Sequence, residues 1–177
     1  MNLAASRHQG RTEVDQPGLP ADPRLHVSVI CTGNICRSPI GEQMLRAAIA
    51  DAGLEDAVRV TSAGTGSWHV GYPADRQAQA ALRRAGFATE HRAHQITAEE
   101  LATVDLALAA DRGHERILRT LTPVQDKVRL LRSFDPTADG EDVPDPYQGP
   151  DSEFDEVVAM TAAALPGVIR EIRRRLG

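Results

Sequence analysis

The sequence is poor in aromatic residues and cysteine and has no excess of positive charge, and these features limit both the core and the class of protein. Aromatic residues make up 3% of the 177 residues, so the core must be built mainly from Ala, Val, Leu and Ile. A formal net charge of -5 argues against a nucleic-acid partner. The two cysteines, Cys31 and Cys36, fall within one short stretch. That usage suits neither a disulfide-stapled secreted scaffold nor a four-ligand zinc site.

Long apolar runs are also missing. No run approaches the roughly 20 residues that are needed to span a bilayer, and residues 1–23 contain no apolar core of a signal peptide. We therefore expect no membrane partner and a cytoplasmic location, although secretion by a route without a signal peptide stays open. Residues 1–24 are rich in proline and lack hydrophobic periodicity, and they are predicted to form a disordered N-terminal tail.

The remaining residues, 25–177, are predicted to form one domain in which apolar runs alternate with stretches of helical periodicity. The predicted strands are 25–30, 58–61, 104–110 and 127–131, and the longer predicted helices are 39–52, 76–85, 112–120 and 152–176. This alternation indicates an α/β fold, with a parallel sheet and helices on both faces. Pro166 lies inside the last helix and is expected to kink or split it.

One stretch carries most of the chemistry: Cys31-Thr32-Gly33-Asn34-Ile35-Cys36-Arg37-Ser38-Pro39. It follows the first strand and ends where Pro39 can open a helix. The N–H groups of such a loop, the helix N-terminus and the Arg37 guanidinium can together hold a tetrahedral oxyanion. The same positive field favours the thiolate of Cys31, a nucleophile near neutral pH. The stretch predicts a cysteine-dependent phosphatase, although a lone cysteine after a strand is usually a small buried hydrophobe.

A phosphatase that releases a phenol also needs a proton donor. Parallel strands bring the segments that follow them to one edge of the sheet, which here include residues 62–68, Asp111 and the acidic connection 135–151. Within that connection Asp145 is the best candidate, because prolines flank it and Tyr147 could contact an aromatic ring. Asp135, which also precedes a proline, is the main competitor.

Three motifs together resemble the low-molecular-weight protein tyrosine phosphatases: the stretch from Cys31 to Pro39, Ser62-Ala63-Gly64-Thr65 leading to Trp68, and Asp145-Pro146-Tyr147. The resemblance extends over residues 25–176. It implies a four-stranded parallel sheet in a doubly wound, Rossmann-like fold. It also implies hydrolysis of phosphotyrosine in proteins, and of small aryl phosphates, without metal or cofactor. We expect a monomer or a weak dimer.

The resemblance gives each matching residue a role. Cys31 would attack phosphorus, Arg37 would bind the equatorial oxygens, and Asp145 would act first as general acid and then as general base. Trp68 and Tyr147 would line the wall around the substrate ring. The loop would be completed by Thr32, Gly33, Asn34, Ile35, Cys36 and Ser38, with Ser38 bonded to the sulfur and with Ser62 and His91 holding the loop in shape.

Two positions depart from the family pattern. Gln148 stands where a second Tyr is common, which changes the rim but not the acid, and His94 stands where Arg is usual, which leaves any role of a charge there open. Cys36 matches the family's second loop cysteine, so a reversible disulfide with Cys31 is a hypothesis. A buried apolar thiol is the alternative interpretation of Cys36.

Three other functions share part of this sequence pattern. A protein-arginine phosphatase of the same fold tends to have Thr in place of Ile35 and Phe in place of Tyr147. An arsenate reductase on this scaffold needs a further cysteine downstream, and the sequence has none. A phosphopeptide-binding or redox-sensing module without turnover would require neither Cys31 nor Asp145 in these positions.

Overall fold

The computed structural model describes residues 23–177. The predicted disordered tail, residues 1–24, therefore falls outside the described residues except for Pro23 and Arg24. The N–H group of Arg24 donates a hydrogen bond to the carbonyl of Ala57 at 3.0 Å, beside the first residue of the second strand.

The sheet has four strands, all parallel, in the order β2-β1-β3-β4. The strands are β1 Leu25–Cys31, β2 Val58–Gly64, β3 Leu106–Ala109 and β4 Val128–Leu130. The helices are α1 Arg37–Asp51, α2 Arg76–Arg84, α3 Ala98–Thr103, α4 Arg112–Leu121 and α5 Asp151–Leu176, with short 3-10 turns at Gln125–Lys127 and Leu131–Phe134. This architecture confirms the predicted α/β fold with four parallel strands.

Both faces of the sheet are covered, because successive residues of each strand point to opposite sides. On one face Val27 and Val29 of β1 pack in a cluster with apolar residues of α1, α2 and α5, including the fully buried Phe154. On the other face Ile30 packs in a second cluster with residues of α3 and α4, such as Leu118. The core thus lies in two layers, one on each side of the sheet.

The carboxyl ends of the strands meet at one edge. Ile30 of β1 pairs with Ala63 of β2 and with Ala109 of β3, so the segments after these strands begin at the same level. Strand β2 continues beyond the predicted 58–61, and its end at Gly64 pairs with Cys31. This edge brings the Cys31 loop next to residues 65–68 and Asp111.

Two helices differ from their predicted forms. Helix α1 begins at Arg37, ahead of the predicted start at Pro39. Pro39 fits there because the N–H groups of the first turn have no partner within the helix. Helix α5 runs without a break through Pro166, so of the two predicted effects, a kink or a split, the split is wrong and the kink stays a prediction. Ala164 and Val168, fully buried on either side of the proline, hold both halves against the core.

Candidate active site

The loop between β1 and α1 turns its carbonyl groups outward. Those of Cys31, Thr32 and Ile35 accept hydrogen bonds from backbone N–H groups of residues 65, 66 and 75, at 2.8 to 2.9 Å. Within residues 23–177, no backbone carbonyl accepts a hydrogen bond from the N–H groups of residues 33–38. Because unpaired N–H groups at a helix N-terminus attract anions, this loop is a preorganised cradle for an oxyanion.

The sulfur of Cys31 and the guanidinium of Arg37 lie in this cradle, and both side chains are buried. Arg37 Nη1 donates to Oδ2 of Asp111 at 2.8 Å and to the carbonyl of Val143 at 2.9 Å. These two bonds use both hydrogens of Nη1. Nη2 makes only a long hydrogen bond, to Thr32 Oγ1 at 3.5 Å. Nε and the other hydrogen of Nη2 can therefore bind two oxygens of a tetrahedral anion.

Asn34 has a left-handed backbone, with φ of 56°, in the middle of the loop. Its side chain is fully buried, and Nδ2 donates to Ser38 Oγ at 2.8 Å and to Ser62 Oγ at 3.0 Å. Its Oδ1 accepts the N–H of His94 at 3.0 Å, and its carbonyl accepts Nε2 of His91 at 2.6 Å. These bonds to surrounding segments offset the strain of the left-handed conformation.

A buried carboxylate, Glu42, fixes the direction of this hydrogen-bond chain. Ser62 Oγ donates its only hydrogen to Oε2 of Glu42, so the Ser62 oxygen can act toward Asn34 only as an acceptor. The second hydrogen of Asn34 Nδ2 is donated to Ser38 Oγ. Ser38 is then free to donate its own proton to Cys31 Sγ at 2.9 Å. Burial alone would raise the pKa of Glu42, but hydrogen bonds from His91 and Ser62 and the charge of Arg46 outweigh it and lower the pKa.

A second chain links Arg37 to the start of α4. Asp111 caps that helix by accepting the N–H of His114 at 3.1 Å. Burial alone would raise the pKa of Asp111, but the hydrogen bond from the His114 backbone, together with the hydrogen bond and the charge of Arg37, outweighs it and lowers the pKa. The anionic Asp111 therefore holds Arg37 in place.

His114 can interact with Asp111 in two ways, because Nδ1 lies 3.2 Å from the N–H of Asp111 and 3.1 Å from its Oδ1. Burial lowers the pKa of His114, which makes the ring neutral and Nδ1 an acceptor from the N–H group. The proton then sits on Nε2, which donates to Thr32 Oγ1 at 2.7 Å. His114 thus connects the N-cap of α4 to the residue that follows Cys31.

The two candidate acids lie in different surroundings. Asp145 Oδ2 is 3.6 Å from Arg37 Nη2, and its Oδ1 accepts the N–H of Tyr147 at 3.1 Å. Its side chain is 54% exposed, so it can meet a substrate without reorganising a core. Asp135 instead bonds to Thr137 and does not line the cleft at Cys31. The geometry favours Asp145 as the proton donor.

A cleft of about 140 Å³ opens above the cradle. Trp68, His69 and Tyr147 form its wall, and Ile35 and Asp145 also line it. Two glycines allow the wall to approach: a Cβ on Gly33 would collide with the His69 ring, and a Cβ on Gly66 would overlap Trp68. Gln148 follows Tyr147 and adopts φ of 63° inside the turn that Gly149 N–H closes by donating to the Pro146 carbonyl.

The cleft brings together most residues that the sequence singled out. They are Cys31, Thr32, Gly33, Ile35, Cys36, Arg37, Trp68, Asp145 and Tyr147. Asn34, Ser38, Ser62 and His91 lie behind the loop and do not line the cleft. His94 pairs with Glu100 at 2.9 Å, away from the cleft, and its backbone holds Asn34.

Sequence reasoning missed His69, Glu42 and His114. Glu42 carried a usable signal, because Ser38, Glu42 and Arg46 recur at every fourth position of α1 and form a polar stripe on a largely buried helix. His114 is three residues after the helix cap Asp111, where a side chain can return to the cap. His69 had no signal apart from its place after Trp68.

Cavity size does not identify this site. A larger depression of about 410 Å³ lies between α1 and residues 86–88, but its lining contains no cysteine or other strong nucleophile. Within the described range, no three His, Cys, Asp or Glu side chains are grouped to hold a metal ion. None of the helices in residues 23–177 has the length and apolar character of a membrane span.

The fold and the loop define a class of α/β proteins, in which an anion-binding loop after the first strand carries a cysteine and an arginine. The family model described as low molecular weight phosphotyrosine protein phosphatase matches residues 26–176. The low molecular weight protein-tyrosine phosphatase A of Mycobacterium tuberculosis is 52% identical over 158 residues, covering 88% of this chain and 96% of that protein. The low molecular weight protein-tyrosine-phosphatase of Streptomyces coelicolor is 44% identical, covering 85% of this chain and 94% of that protein.

Among solved structures, a protein tyrosine phosphatase from Entamoeba histolytica, crystallised with Hepes in its active site, superposes with a TM-score of 0.82. It is 26% identical in sequence and covers 85% of this chain and 97% of its own. The present chain belongs to the low molecular weight phosphotyrosine protein phosphatase family. The resemblance that the three motifs indicated is thereby confirmed.

Proposed function

We propose that the protein hydrolyses phosphotyrosine in proteins, and small aryl phosphates, through a cysteinyl-phosphate intermediate. The observation that supports this most strongly is the unpaired N–H cradle, which holds Cys31 and Arg37 beneath a cleft that Asp145 borders. The phosphatase domain would comprise residues 25–177. Related proteins from Mycobacterium and Streptomyces carry the name protein-tyrosine phosphatase.

In the first step the Cys31 thiolate attacks phosphorus and the bond to the phenolic oxygen breaks. Asp145 gives its proton to that oxygen, so tyrosine leaves as a neutral phenol. Charge on the equatorial oxygens is bound by Arg37 and by the N–H groups of residues 33–38. Because these donors are fixed before the substrate arrives, they favour the transition state without reorganisation. Positive charge is already supplied at the phosphate, so the proposed reaction needs no metal or cofactor.

In the second step water attacks the cysteinyl-phosphate. Asp145, now a carboxylate, accepts a proton from the water. The bond between sulfur and phosphorus then breaks, which releases inorganic phosphate and returns Cys31 to the thiolate form. Ser38 stabilises that thiolate by donating its hydroxyl proton, which Asn34 and Ser62 orient. His91 holds the loop in its strained form through the Asn34 carbonyl. These four residues act as positioning groups behind the nucleophile.

The wall of the cleft supports an aromatic substrate. Trp68 and Tyr147 present rings on which a phenyl phosphate can pack, and Ile35 gives the floor an apolar side. A cleft with such walls favours phosphotyrosine, because the shorter phosphoserine would not bring its phosphate to the cradle. Ile35 and Tyr147 also favour phosphotyrosine over phosphoarginine as the substrate, because arginine phosphatases of this fold tend to have Thr and Phe at these two positions.

Two other functions receive less support. Arsenate reduction on this scaffold would need a further cysteine, and the sequence contains only Cys31 and Cys36. A binding or redox-sensing module without turnover would gain nothing from the polarised hydrogen bond to Cys31 or from an exposed Asp145 beside Arg37. Turnover is therefore the better explanation of the site.

The proposal is tested by hydrolysis of phenyl phosphate in the presence of a chelator. We expect turnover by the wild type, a loss of at least about a thousandfold in Cys31→Ser, and a clear loss in Asp145→Asn. The matched variant Asp135→Asn should retain wild-type activity, since it removes a carboxylate from the same acidic connection. Full activity of Cys31→Ser would contradict the mechanism, and loss in Asp135→Asn alone would reassign the acid.

For Cys36 we propose a protective redox role. A peroxide would oxidise the Cys31 thiolate to a sulfenic acid, and the Cys36 sulfur would then displace water to form a disulfide. Burial raises the pKa of the Cys36 thiol well above its usual range. Cys36 therefore remains protonated in the reduced protein and loses its proton as its sulfur attacks the sulfenic acid of Cys31. Mild peroxide followed by peptide mapping should yield a Cys31–Cys36 peptide, whereas sulfonic acid at Cys31 would contradict this role.

The partner and setting follow from the chemistry. The partner is a phosphotyrosine-containing protein, and the chain is proposed to act without nucleic acid or a membrane. We place it in the cytoplasm because a reducing compartment keeps Cys31 available as a thiolate. A monomer or weak dimer is proposed, and analytical ultracentrifugation over a range of concentrations checks it.

A further inference from the structure

Aromatic side chains that are scarce in the chain are concentrated on one surface. The single Trp and both Tyr are exposed: Trp68 by 74%, Tyr72 by 61% and Tyr147 by 47%. The Phe residues, in contrast, are buried or partly buried in the core. Exposed aromatic side chains that cluster in this way mark a surface that another molecule covers.

Two members of this surface lie outside the cleft. Val70, which is 52% exposed, and Tyr72 do not line the space above Cys31. The His69 ring connects them to the cleft, since its centroid is 6.0 Å from that of Tyr72 and 6.2 Å from that of Tyr147. An apolar surface therefore continues from the wall of the cleft over His69 to an outer lip, which we define as Val70 and Tyr72.

The lip is held by backbone hydrogen bonds on both sides. Gly71 N–H donates to the Ala93 carbonyl, and Ala93 N–H donates to the Tyr72 carbonyl, both at 2.8 Å. Tyr72 N–H also donates to the His69 carbonyl at 2.9 Å, which closes a turn around Gly71 with its φ of 87°. A ligand would pay little conformational entropy to use a surface that is already fixed.

We propose that the outer lip binds an apolar side chain close to the phosphotyrosine in the polypeptide substrate. This inference rests on the proposed function, because the phosphotyrosine in the cleft would place the flanking chain across His69. An extended chain advances about 3.3 to 3.6 Å per residue, so the lip is within reach of about three residues on either side. Val70 supplies an aliphatic contact and Tyr72 a ring, and neither carries a charge that would recognise an acidic or basic neighbour.

The test uses phosphotyrosine peptides in a Ser/Gly host, with one Leu placed at each position from three before to three after the phosphotyrosine. For the wild type, at least one Leu position should raise kcat/KM about three- to tenfold over the host peptide, the size expected for partial burial of a Leu side chain. The variant Val70→Ala/Tyr72→Ala should lose this gain but keep the wild-type kcat/KM for phenyl phosphate, which does not reach the lip.

A matched control is Val124→Ala. Val124 is 50% exposed, close to the value for Val70. It precedes β4, however, which is the outer strand on the other side of the sheet from β2, the strand that the lip follows. This variant should keep both the activity and the Leu preference. A Tyr72→Phe variant should also keep the preference, since the ring and not the hydroxyl makes the contact.

Binding to the Cys31→Ser protein, followed by peptide fluorescence anisotropy, separates the inference from the proposed catalysis. The same Leu peptides should bind more tightly than the host, and the lip substitutions should remove that advantage even if phenyl phosphate is not hydrolysed. The inference is overturned if no Leu position exceeds a twofold gain, or if the gain survives in Val70→Ala/Tyr72→Ala. It is also overturned if these substitutions instead dissolve a dimer in sedimentation, because a second copy would then be the occupant.

Discussion

The floor of the site is the loop of residues 31–38, and its wall is formed by Trp68, His69, Tyr147 and Asp145. The two are built in opposite ways. On the floor, Asn34 and Ser38 are fully buried, and each polar atom of the Asn34 side chain has a hydrogen-bond partner. On the wall, Trp68 is 74% exposed and the Asp145 side chain 54% exposed. The difference shows that anion binding and substrate admission impose different requirements on neighbouring residues.

An oxyanion cradle works only if its donors are fixed in advance, which demands a buried, fully paired support. A proton donor and an aromatic wall must instead meet a large substrate, which demands exposure. Substitutions on the floor should therefore cost both folding stability and activity. Substitutions on the wall should cost activity alone.

Among substitutions that leave the nucleophile Cys31 in place, the largest expected effect comes from the wall. Asp145→Asn should lower kcat by about 10²- to 10⁴-fold for phenyl phosphate, because it removes the proton donor. The thermal midpoint should stay within experimental error, since Asp145 is half exposed and has little packing to lose. Values of kcat/KM for a series of aryl phosphates whose phenols have decreasing pKa should show the loss shrinking as the leaving group improves, because kcat/KM reports the step that releases the phenol. A loss that is equal for all phenols would contradict the acid role.

Next in size is a substitution on the floor. Asn34→Ala should lower the free energy of unfolding by about 2 to 4 kcal/mol, because it leaves buried partners unpaired and keeps the strained φ. It should also lower kcat at least tenfold. The comparison variant Asn34→Gly relieves the strain but not the lost hydrogen bonds. Denaturant unfolding should place Asn34→Gly between Asn34→Ala and the wild type, with activity as poor as that of Asn34→Ala.

The sequence specifies the cradle more directly than the residues that support it. The cradle is encoded by consecutive residues, so Cys31 and Arg37 could be predicted from their spacing and their place after a strand, whereas the role of Ser38 was implied by the family resemblance. Spacing on α1 and α4 could mark Glu42 and His114 as polar residues of note, but their roles could not be assigned, because those roles depend on contacts with Ser62 on β2 and Thr32 after β1. Such contacts exist only once the strands are in register. The choice between Asp145 and Asp135 likewise depended on where the acidic connection folds back to Arg37.

A smaller expected effect concerns Glu42, which supports the floor and whose contribution to stability depends on pH. The pKa of Glu42 is lowered in the folded protein, so its stabilising contribution is present above the unfolded value of about 4.3 and is lost as pH falls through the folded pKa. Glu42→Gln should be less stable than the wild type at pH 7 by about 1 to 3 kcal/mol, the value for a hydrogen bond to a charged group. The difference should shrink on acidification below pH about 4. Urea unfolding at several pH values measures this, and a constant difference would contradict it.

The link between His114 and Thr32 should have a modest effect on turnover. His114→Leu and Thr32→Val should each lower kcat/KM by about two- to tenfold, and the double variant should lose no more than either single one. His114→Gln should recover part of the loss, since its amide can donate to Thr32. Additive losses in the double variant would show that the two residues act separately.

The smallest effect concerns a residue outside the cleft. The hydrogen bond to Glu100 raises the pKa of His94. Its contribution to stability is therefore fully present below the unfolded value of about 6.5 and is lost as pH rises through the folded pKa. Both partners are partly exposed, so His94→Gln should cost less than about 1 kcal/mol at pH 5.5 and almost nothing at pH 9. Thermal unfolding at both pH values checks this, and a larger cost at pH 9 would contradict it.

The division between floor and wall is tested most directly by trapping the phosphorylated protein. Asp145→Asn should form the intermediate from a good leaving group but hydrolyse it slowly, because the floor is intact and the water lacks its base. Acid quenching and peptide mapping by mass spectrometry should then find phosphate on Cys31, and none in the variant that also carries Cys31→Ser. Phosphate on any other residue, or no adduct while substrate is consumed, would contradict a cysteinyl-phosphate made by the floor alone.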